Sequence, residues 1–245
     1  MEKPRPGQVR VKLCRFYVES DPGVVKTGMA FDGRFYETVG AEPVAVHEPM
    51  EVKLLPPIVR ASSVRFSPLN SLVFDYLNPN VMFGPNETLR FPEADLWITP
   101  CLGVVIGGSG GLVDVRTSDD LVLGLTLGSV FTVEPHRGPG LDIGFALGPA
   151  LTTPDELDDS VTVDSKGRRY RMPATFKVNS VESGAASLSE LQYTPAEIIS
   201  AASQSCALYE SDLLLIGVCE PIRVDSKDEF GWVIEKMGAL NTRIS

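Results

Sequence analysis

A strand-rich α+β fold is predicted by three observations. Short alternating runs near the N-terminus are joined by an Asp-Gly pair, long apolar runs further on have the length of buried strands, and few segments carry helix-start signals. Val9 to Tyr17 alternates, and the run Thr27–Phe31 meets Arg34–Thr38 across Asp32-Gly33, a strong hairpin signal. A further strand, Met50–Leu55, runs into Pro56-Pro57, which ends it and marks a boundary. Residues 1–57 are therefore expected to form a small N-terminal β domain, and residues 58–245 the main domain.

In the main domain, Tyr76 to Asn86 is dense in turn formers and predicts a structured loop. The stretch Ile98–Gly107 reads as a buried strand closed by Gly-Gly-Ser-Gly-Gly at 107–111, and Leu121–Leu127 and Leu213–Val218 read as two more. Thr117-Ser118-Asp119-Asp120 predicts a short helical start. Thr153-Pro154-Asp155-Glu156 and Thr194-Pro195-Ala196-Glu197 are capping-box patterns with proline at the first helical position, so each should begin a helix. The second is the longer, with Ile198, Ile199, Ala202 and Cys206 at helical spacings and an end expected near Tyr209-Glu210.

The chain has 245 residues and 43% hydrophobic content, enough for a substantial core. No window approaches a membrane span, and Met1-Glu2-Lys3-Pro4-Arg5-Pro6 lacks the apolar region of a signal peptide, so a cytoplasmic protein without membrane partners is expected. A net charge of -10 argues against a nucleic-acid partner, which needs a basic stripe to displace phosphate counterions. The run Asp155-Glu156-Leu157-Asp158-Asp159 is read as a solvated face. The four cysteines, at 14, 101, 206 and 219, are too widely spaced for a CxxC site and too few for a disulfide framework, and two histidines cannot build a histidine-rich metal centre. His47 is read as a surface residue.

Five ordered motifs resemble the fumarylacetoacetate hydrolase family over roughly residues 50–240. Tyr76-Leu77-Asn78-Pro79 with Phe83-Gly84-Pro85-Asn86 is similar to its Tyr-x-Asn-Pro and Gly-Pro-Asn/Gly loop, and Val104-Val105-Ile106-Gly107 to its Val-Val-Ile-Gly strand. Leu147 to Leu157 is similar to Leu-Gly-Pro-Trp-Leu-Val-Thr-Pro-Asp-Glu-Leu, Val178-Asn179-Ser180 to Val-Asn-Gly, and Leu208 to Gly217 to Leu-x-Pro-Gly-Asp-Val-Ile-x-Thr-Gly. The resemblance implies a body of packed, curved mixed sheets (a β-sandwich or roll) with few short helices, a homodimer, and hydrolase, decarboxylase, isomerase or hydratase chemistry on acidic dicarbonyl compounds.

That chemistry needs a divalent cation held by carboxylates. The glutamates of the family pattern Glu-x-Glu-Leu-Ala-Val-Val-Ile-Gly fall on Thr99 and Cys101, and the aspartate of Asn-Asp-x-Thr/Ser-Ala-Arg-Asp is placed on Ser129. Neutral side chains cannot offset the dehydration of a hard cation, so no metal and no other cofactor is expected. Displaced ligands at Glu93 or Asp95 are the alternative. The family's lysine has no counterpart near Gly138–Asp142, its arginine becomes Val133, the threonine and proline of Gly-Thr-Pro become Val218 and Cys219, and its histidine loop has no match in Ser62–Phe74.

The expected pocket is less charged, lined by Thr99, Cys101, Ser129 and Tyr76 as substrate contacts. Tyr76 and Asn78 also have a reading as loop architecture, and Cys101 as a nucleophile is disfavoured for want of a cationic neighbour. Glu134 and His136, two apart in an extended segment, are the acid/base candidates, with Arg137 as an anion clamp and Asp142 orienting a donor. Beside this stands a surface loop before Gly138-Pro139-Gly140. The two function classes are a metal-independent enzyme that isomerises, cyclises, eliminates from or decarboxylates a carbonyl-rich (dicarbonyl or polyketide-like) small molecule, and a non-catalytic ligand- or partner-binding protein. Metal-dependent hydrolysis or decarboxylation through displaced ligands is the third reading.

Overall fold

The structure is a computed structural model that describes residues 12–90, 95–133 and 143–245. The N-terminal strands are β1 (Lys12–Val18), β2 (Asp21–Phe31), β3 (Arg34–Val39), β4 (Glu42–His47) and β5 (Val52–Leu55). Next come β6 (Val64–Ser67), β7 (Asp75–Leu77), β8 (Met82–Phe83), β9 (Thr88–Leu89), the long β10 (Leu96–Ile106), helix α1 (Val115–Ser118), β11 (Val122–Thr132) and β12 (Gly144–Thr152). The chain then forms β13 (Val161–Asp164), β14 (Gly167–Tyr170), β15 (Pro173–Val178), β16 (Val181–Ser187) and α2 (Pro195–Ser205). It ends with β17 (Leu213–Gly217), β18 (Ile222–Val224), β19 (Glu229–Ile234) and β20 (Gly238–Ile244). Strands dominate and helices are short, as the α+β expectation requires.

Among the described residues, one large sheet runs β4-β3-β2-β1-β12-β11-β10-β17-β6-β7, with β5 on β1, β8 on β12 and β18 on β10. A second sheet runs β16-β15-β19-β20-β9. The N-terminal strands are thus continuous with the main sheet, through β1 paired with β12. What sets them apart is packing: Cys14, Phe16 and Val18 form a small cluster of their own with Ala150.

The large sheet curls into a roll. In a flat sheet β7 and β8 would be separated by about 29 Å, six strand steps of roughly 4.8 Å. Leu77 and Met82 can be at most about 18 Å apart along the chain, so the β7 edge must bend back toward β12. The inner face gathers Val64, Phe66, Leu77, Cys101, Val105, Val130, Phe145, Leu147, Leu213 and Leu215 into one cluster. The outer face, with Ile98, Leu102, Val104, Leu125, Leu127 and Phe131, packs against α2 and against Phe230, Trp232 and Leu240 of the second sheet.

Local chemistry explains the punctuation. Asp32 (φ 51) and Gly33 (φ 73) both sit left-handed, as a two-residue hairpin requires. Thr194 caps α2 by accepting from Glu197 N, and Glu197 answers on the Thr194 backbone. α2 stops at Ser205, short of the expected Tyr209-Glu210. There the buried Arg65 takes the carbonyls of Ala202 (2.8 Å), Cys206 (3.5 Å) and Ala207 (3.3 Å), so that end is satisfied without another turn. Two other helix starts differ from expectation. Thr153 precedes a 3-10 turn with no side-chain cap, and α1 begins behind Asp114, whose carboxylate accepts from Arg116 N, rather than at Thr117.

His47 is half-buried rather than a surface residue. Its ring lies edge-on to Phe16, centroids 5.7 Å apart, with Nε2 3.2 Å from Glu37 Oε2. No helix among the described residues is long and apolar enough to cross a membrane.

Candidate functional site

The site is built from the start of β10, where register fixes what each side chain faces. Residues directly opposite on paired strands share a face, and successive residues alternate. Leu96, Ile98, Leu102 and Val104 belong to the outer cluster. Trp97, Thr99 and Cys101 therefore point into the roll.

Three rows cross the inner face. At the mouth, Trp97 lies between Thr132 of β11 and Arg223 of β18. One step deeper, Thr99 pairs with Val130. On the other side of Thr99 the ladder is interrupted: Val218 N donates to Pro100 O, but the next pair is Ile98 with Ile222, so Cys219-Glu220-Pro221 bulges out opposite Thr99. On the floor, Cys101 pairs with Gly128 on one side and Gly217 on the other.

The floor is closed by the protein itself. Cys101 has no exposure, and a Cβ on Gly128 would come within 2.8 Å of Leu215 Cδ2. A Cβ on Gly217 would meet Leu69 N at 2.8 Å. The expectation of Cys101 as a substrate contact meets this packing: its thiol lies among Val130, Phe145, Leu147 and Leu215, donating to Thr99 O at 3.2 Å. Burial pushes the thiol well above its usual range, with the neighbouring Cys219 adding to the shift. Burial likewise pushes Cys219 up to about 12. Both thiols are protonated at neutral pH, and neither offers a nucleophile or a thiolate ligand.

Two expected site residues are elsewhere. Ser129 pairs with Pro100 and Ala146, so its side chain enters the outer core, fully buried and with no partner for its hydroxyl among the described residues. Tyr76 pairs with Arg65, whose guanidinium lies 5.6 Å from its ring centroid, on the outer face beside α2. Tyr76 is 59% exposed and does not share a face with Thr99.

The residue that shares the face with Thr99 and Cys101 is Val130, one position beyond Ser129. A one-residue slip along a strand turns every side chain over, so only one of the two alignments can be right. Setting the family's aspartate on Val130 also brings its Thr/Ser onto Thr132, and moves Glu134 from the final aspartate of that pattern to its arginine. The sequence alone does not single out Trp97, Val130, Thr132 and Arg223, which share this face with Thr99; the threonine match is the signal for the register.

Glu93, Glu134, His136, Arg137 and Asp142 lie outside the described residues. Asp95 is described and is 63% exposed at its side chain, with Oδ1 2.6 Å from Arg223 Nη2. It is tied to the rim and is not poised over Thr99. Among the described residues no group of three or more His, Cys, Asp or Glu side chains could hold a metal ion. The set Thr99, Cys101 and Val130 does not fit the divalent cation the family implies: it presents a hydroxyl, a protonated thiol and an alkyl group, with no anionic oxygen. What the face offers instead is a half-buried indole flanked by a guanidinium and a buried hydroxyl.

The family described as Fumarylacetoacetate (FAA) hydrolase C-terminal matches residues 58–245. Solved structures share the fold over nearly the whole chain. A 2-hydroxyhepta-2,4-diene-1,7-dioate isomerase from Mycobacterium marinum superposes with a TM-score of 0.77 at 20% identity, covering 96% of this chain and 98% of its own. A maleylpyruvate hydrolase from Sphingobium sp. SYK-6 gives 0.79 at 17%, covering 95% and 98%. A fumarylacetoacetate hydrolase from psychrophilic Exiguobacterium antarcticum gives 0.76 at 16%, covering 96% and 99%. No curated protein sequence matches the chain.

Proposed function

The chain belongs to the fumarylacetoacetate hydrolase family, and we propose that it is a metal-independent member acting on a carbonyl-rich small molecule, dicarbonyl or polyketide-like. The observation that carries this reading is the inner face of β10 and β11, where Thr99, Cys101 and Val130 stand in place of carboxylates. Without a Lewis acid, acceleration must come from positioning the ligand and from proton transfer. Glu134 and His136 are the proposed acid/base pair, Arg137 the group that holds an enolate oxygen, and Asp142 the group that orients a donor. Isomerisation, cyclisation, elimination and decarboxylation all proceed through such an enol or enolate. Isomerase and hydrolase names among the structural relatives support a carbonyl substrate.

A second reading is a non-catalytic ligand-binding protein, and the packed floor around Cys101 favours it. The proposal includes a homodimer in the cytoplasm. Leu13, Phe31 and Val46 support the dimer: they are exposed on the face of the N-terminal sheet that turns away from Phe16.

The test is the metal content of the purified protein together with an activity screen of conjugated carbonyl compounds, with and without a chelator. The proposal expects no stoichiometric divalent metal, turnover unchanged by the chelator, and loss of turnover in His136→Ala with binding retained. Co-purified metal, or activity that magnesium restores, contradicts it. Ligand binding without turnover of any compound selects the second reading.

A further inference from the structure

We infer that the row Thr132, Trp97, Arg223 at the mouth of the roll is a binding platform for a planar conjugated carbonyl compound that carries no carboxylate. The ligand stacks on the Trp97 indole and one of its carbonyl oxygens accepts a hydrogen bond from Thr132. This rests on the metal-independent reading and names the substrate class for the same site, which keeps isomerisation, cyclisation and elimination and sets decarboxylation aside.

Thr132 is 8% exposed, and its hydroxyl has no hydrogen-bond partner among the described residues. A buried hydroxyl left so forfeits the bond it made in water, and a ligand oxygen at that point restores it. Its direct neighbour across the ladder is Trp97, which is half-buried at the N-terminal end of β10. An indole there supplies a flat apolar surface that a conjugated ligand covers and a saturated chain does not.

Arg223 closes the row, and its charge is already spoken for. Nη2 is 2.6 Å from Asp95 Oδ1 and 3.8 Å from Asp225 Oδ1. A carboxylate arriving here meets two acidic side chains around one cation. One row deeper stand Thr99 and Val130, neither of which carries positive charge. On these described residues the platform selects by repulsion as well as by fit, rejecting dicarboxylates and admitting neutral diketones and enols, whose one developing negative charge is left to the proposed Arg137.

Fluorescence tests this on the full chain. Of the two tryptophans, Trp232 is 1% exposed in the core, so a ligand at the mouth reports through Trp97. Benzoylacetone is expected to quench saturably, and fumarate at equal concentration is not. Thr132→Val is expected to weaken benzoylacetone binding by about tenfold. The same change raises Tm by roughly 2–4 °C, because it removes the unpartnered hydroxyl. Thr132→Ser is expected to bind as the parent does. Absence of saturable quenching, wild-type affinity in Thr132→Val, or fumarate binding as tightly as benzoylacetone overturns the platform. Metal found in the purified protein defeats the metal-independent reading instead, whatever Thr132→Val shows.

Discussion

Two buried regions only a strand apart treat charge in opposite ways. Beside α2, Arg65 and Asp212 are both about 2% exposed, and the core meets each with polar partners. Arg65 meets three carbonyls at the end of α2, and Asp212 accepts from Ser63 Oγ at 2.8 Å and Tyr209 N at 2.9 Å. On the inner face of β10 the family pattern also places charge, but here Thr99, Cys101 and Val130 carry none. The difference teaches what retains a buried charge. An ionisable side chain is kept in the core where fixed backbone dipoles and hydroxyls surround it, as they do Arg65 and Asp212.

The first way to break this comparison is to remove one partner from the retained network. Arg65→Ala leaves the last carbonyls of α2 and the Asp212 carboxylate without their cation. Urea unfolding should show a loss of about 3–5 kcal/mol. A loss under 1 kcal/mol would mean that the network does not hold that end of the helix.

Next is the floor. Gly128→Ala drives a methyl toward Leu215, and should cost about 1–3 kcal/mol by the same measurement. A neutral result would show that the floor has room, and would return Cys101 to the list of ligand contacts.

Thiol chemistry sharpens the comparison with a smaller effect. Cys206 is exposed, whereas Cys14 and Cys101 are buried and Cys219 is held up to about 12. Titration with a thiol reagent should give one fast reaction in the native state and four after denaturation. Loss of the fast phase in Cys206→Ser checks the assignment. Fast labelling of Cys101 would contradict the closed floor.

The smallest effect lies in the N-terminal sheet. Burial works to raise the Glu37 carboxyl, but hydrogen bonds from His47 and Lys26 outweigh it and hold the group below its usual range. The folded state therefore gains stability above the ordinary carboxylate pKa, and loses it as pH falls through the lower folded value. Glu37→Gln should flatten that part of the pH–stability curve, and an unchanged acid limb would show that the cluster is too screened to matter.

Much of the fold was legible because its signals are local. Asp32-Gly33 and the Thr194 capping box announce themselves within four residues, and the apolar runs at 98–107, 121–127 and 213–218 became β10, β11 and β17. Where the reading went astray, a distant residue decided. α2 ends early because Arg65, more than a hundred residues upstream, takes its carbonyls. Ser129 turns to the outer face, which a run such as Gly128-Ser129-Val130 does not reveal; the pairing of Thr99 with Val130 does. Tyr76 read as a pocket residue from its motif, and only the pairing of β6 with β7 put it over Arg65.

The most direct test of the proposed metal independence is to place carboxylates on the inner face in two registers and titrate each protein with manganese, following bound metal by electron paramagnetic resonance. One variant carries Thr99→Glu, Cys101→Glu and Val130→Asp; the other replaces the last change with Ser129→Asp. The account predicts no binding by the parent chain and one bound manganese in the Val130→Asp variant alone. Stoichiometric binding by the parent, or by the Ser129→Asp variant and not its counterpart, would contradict it.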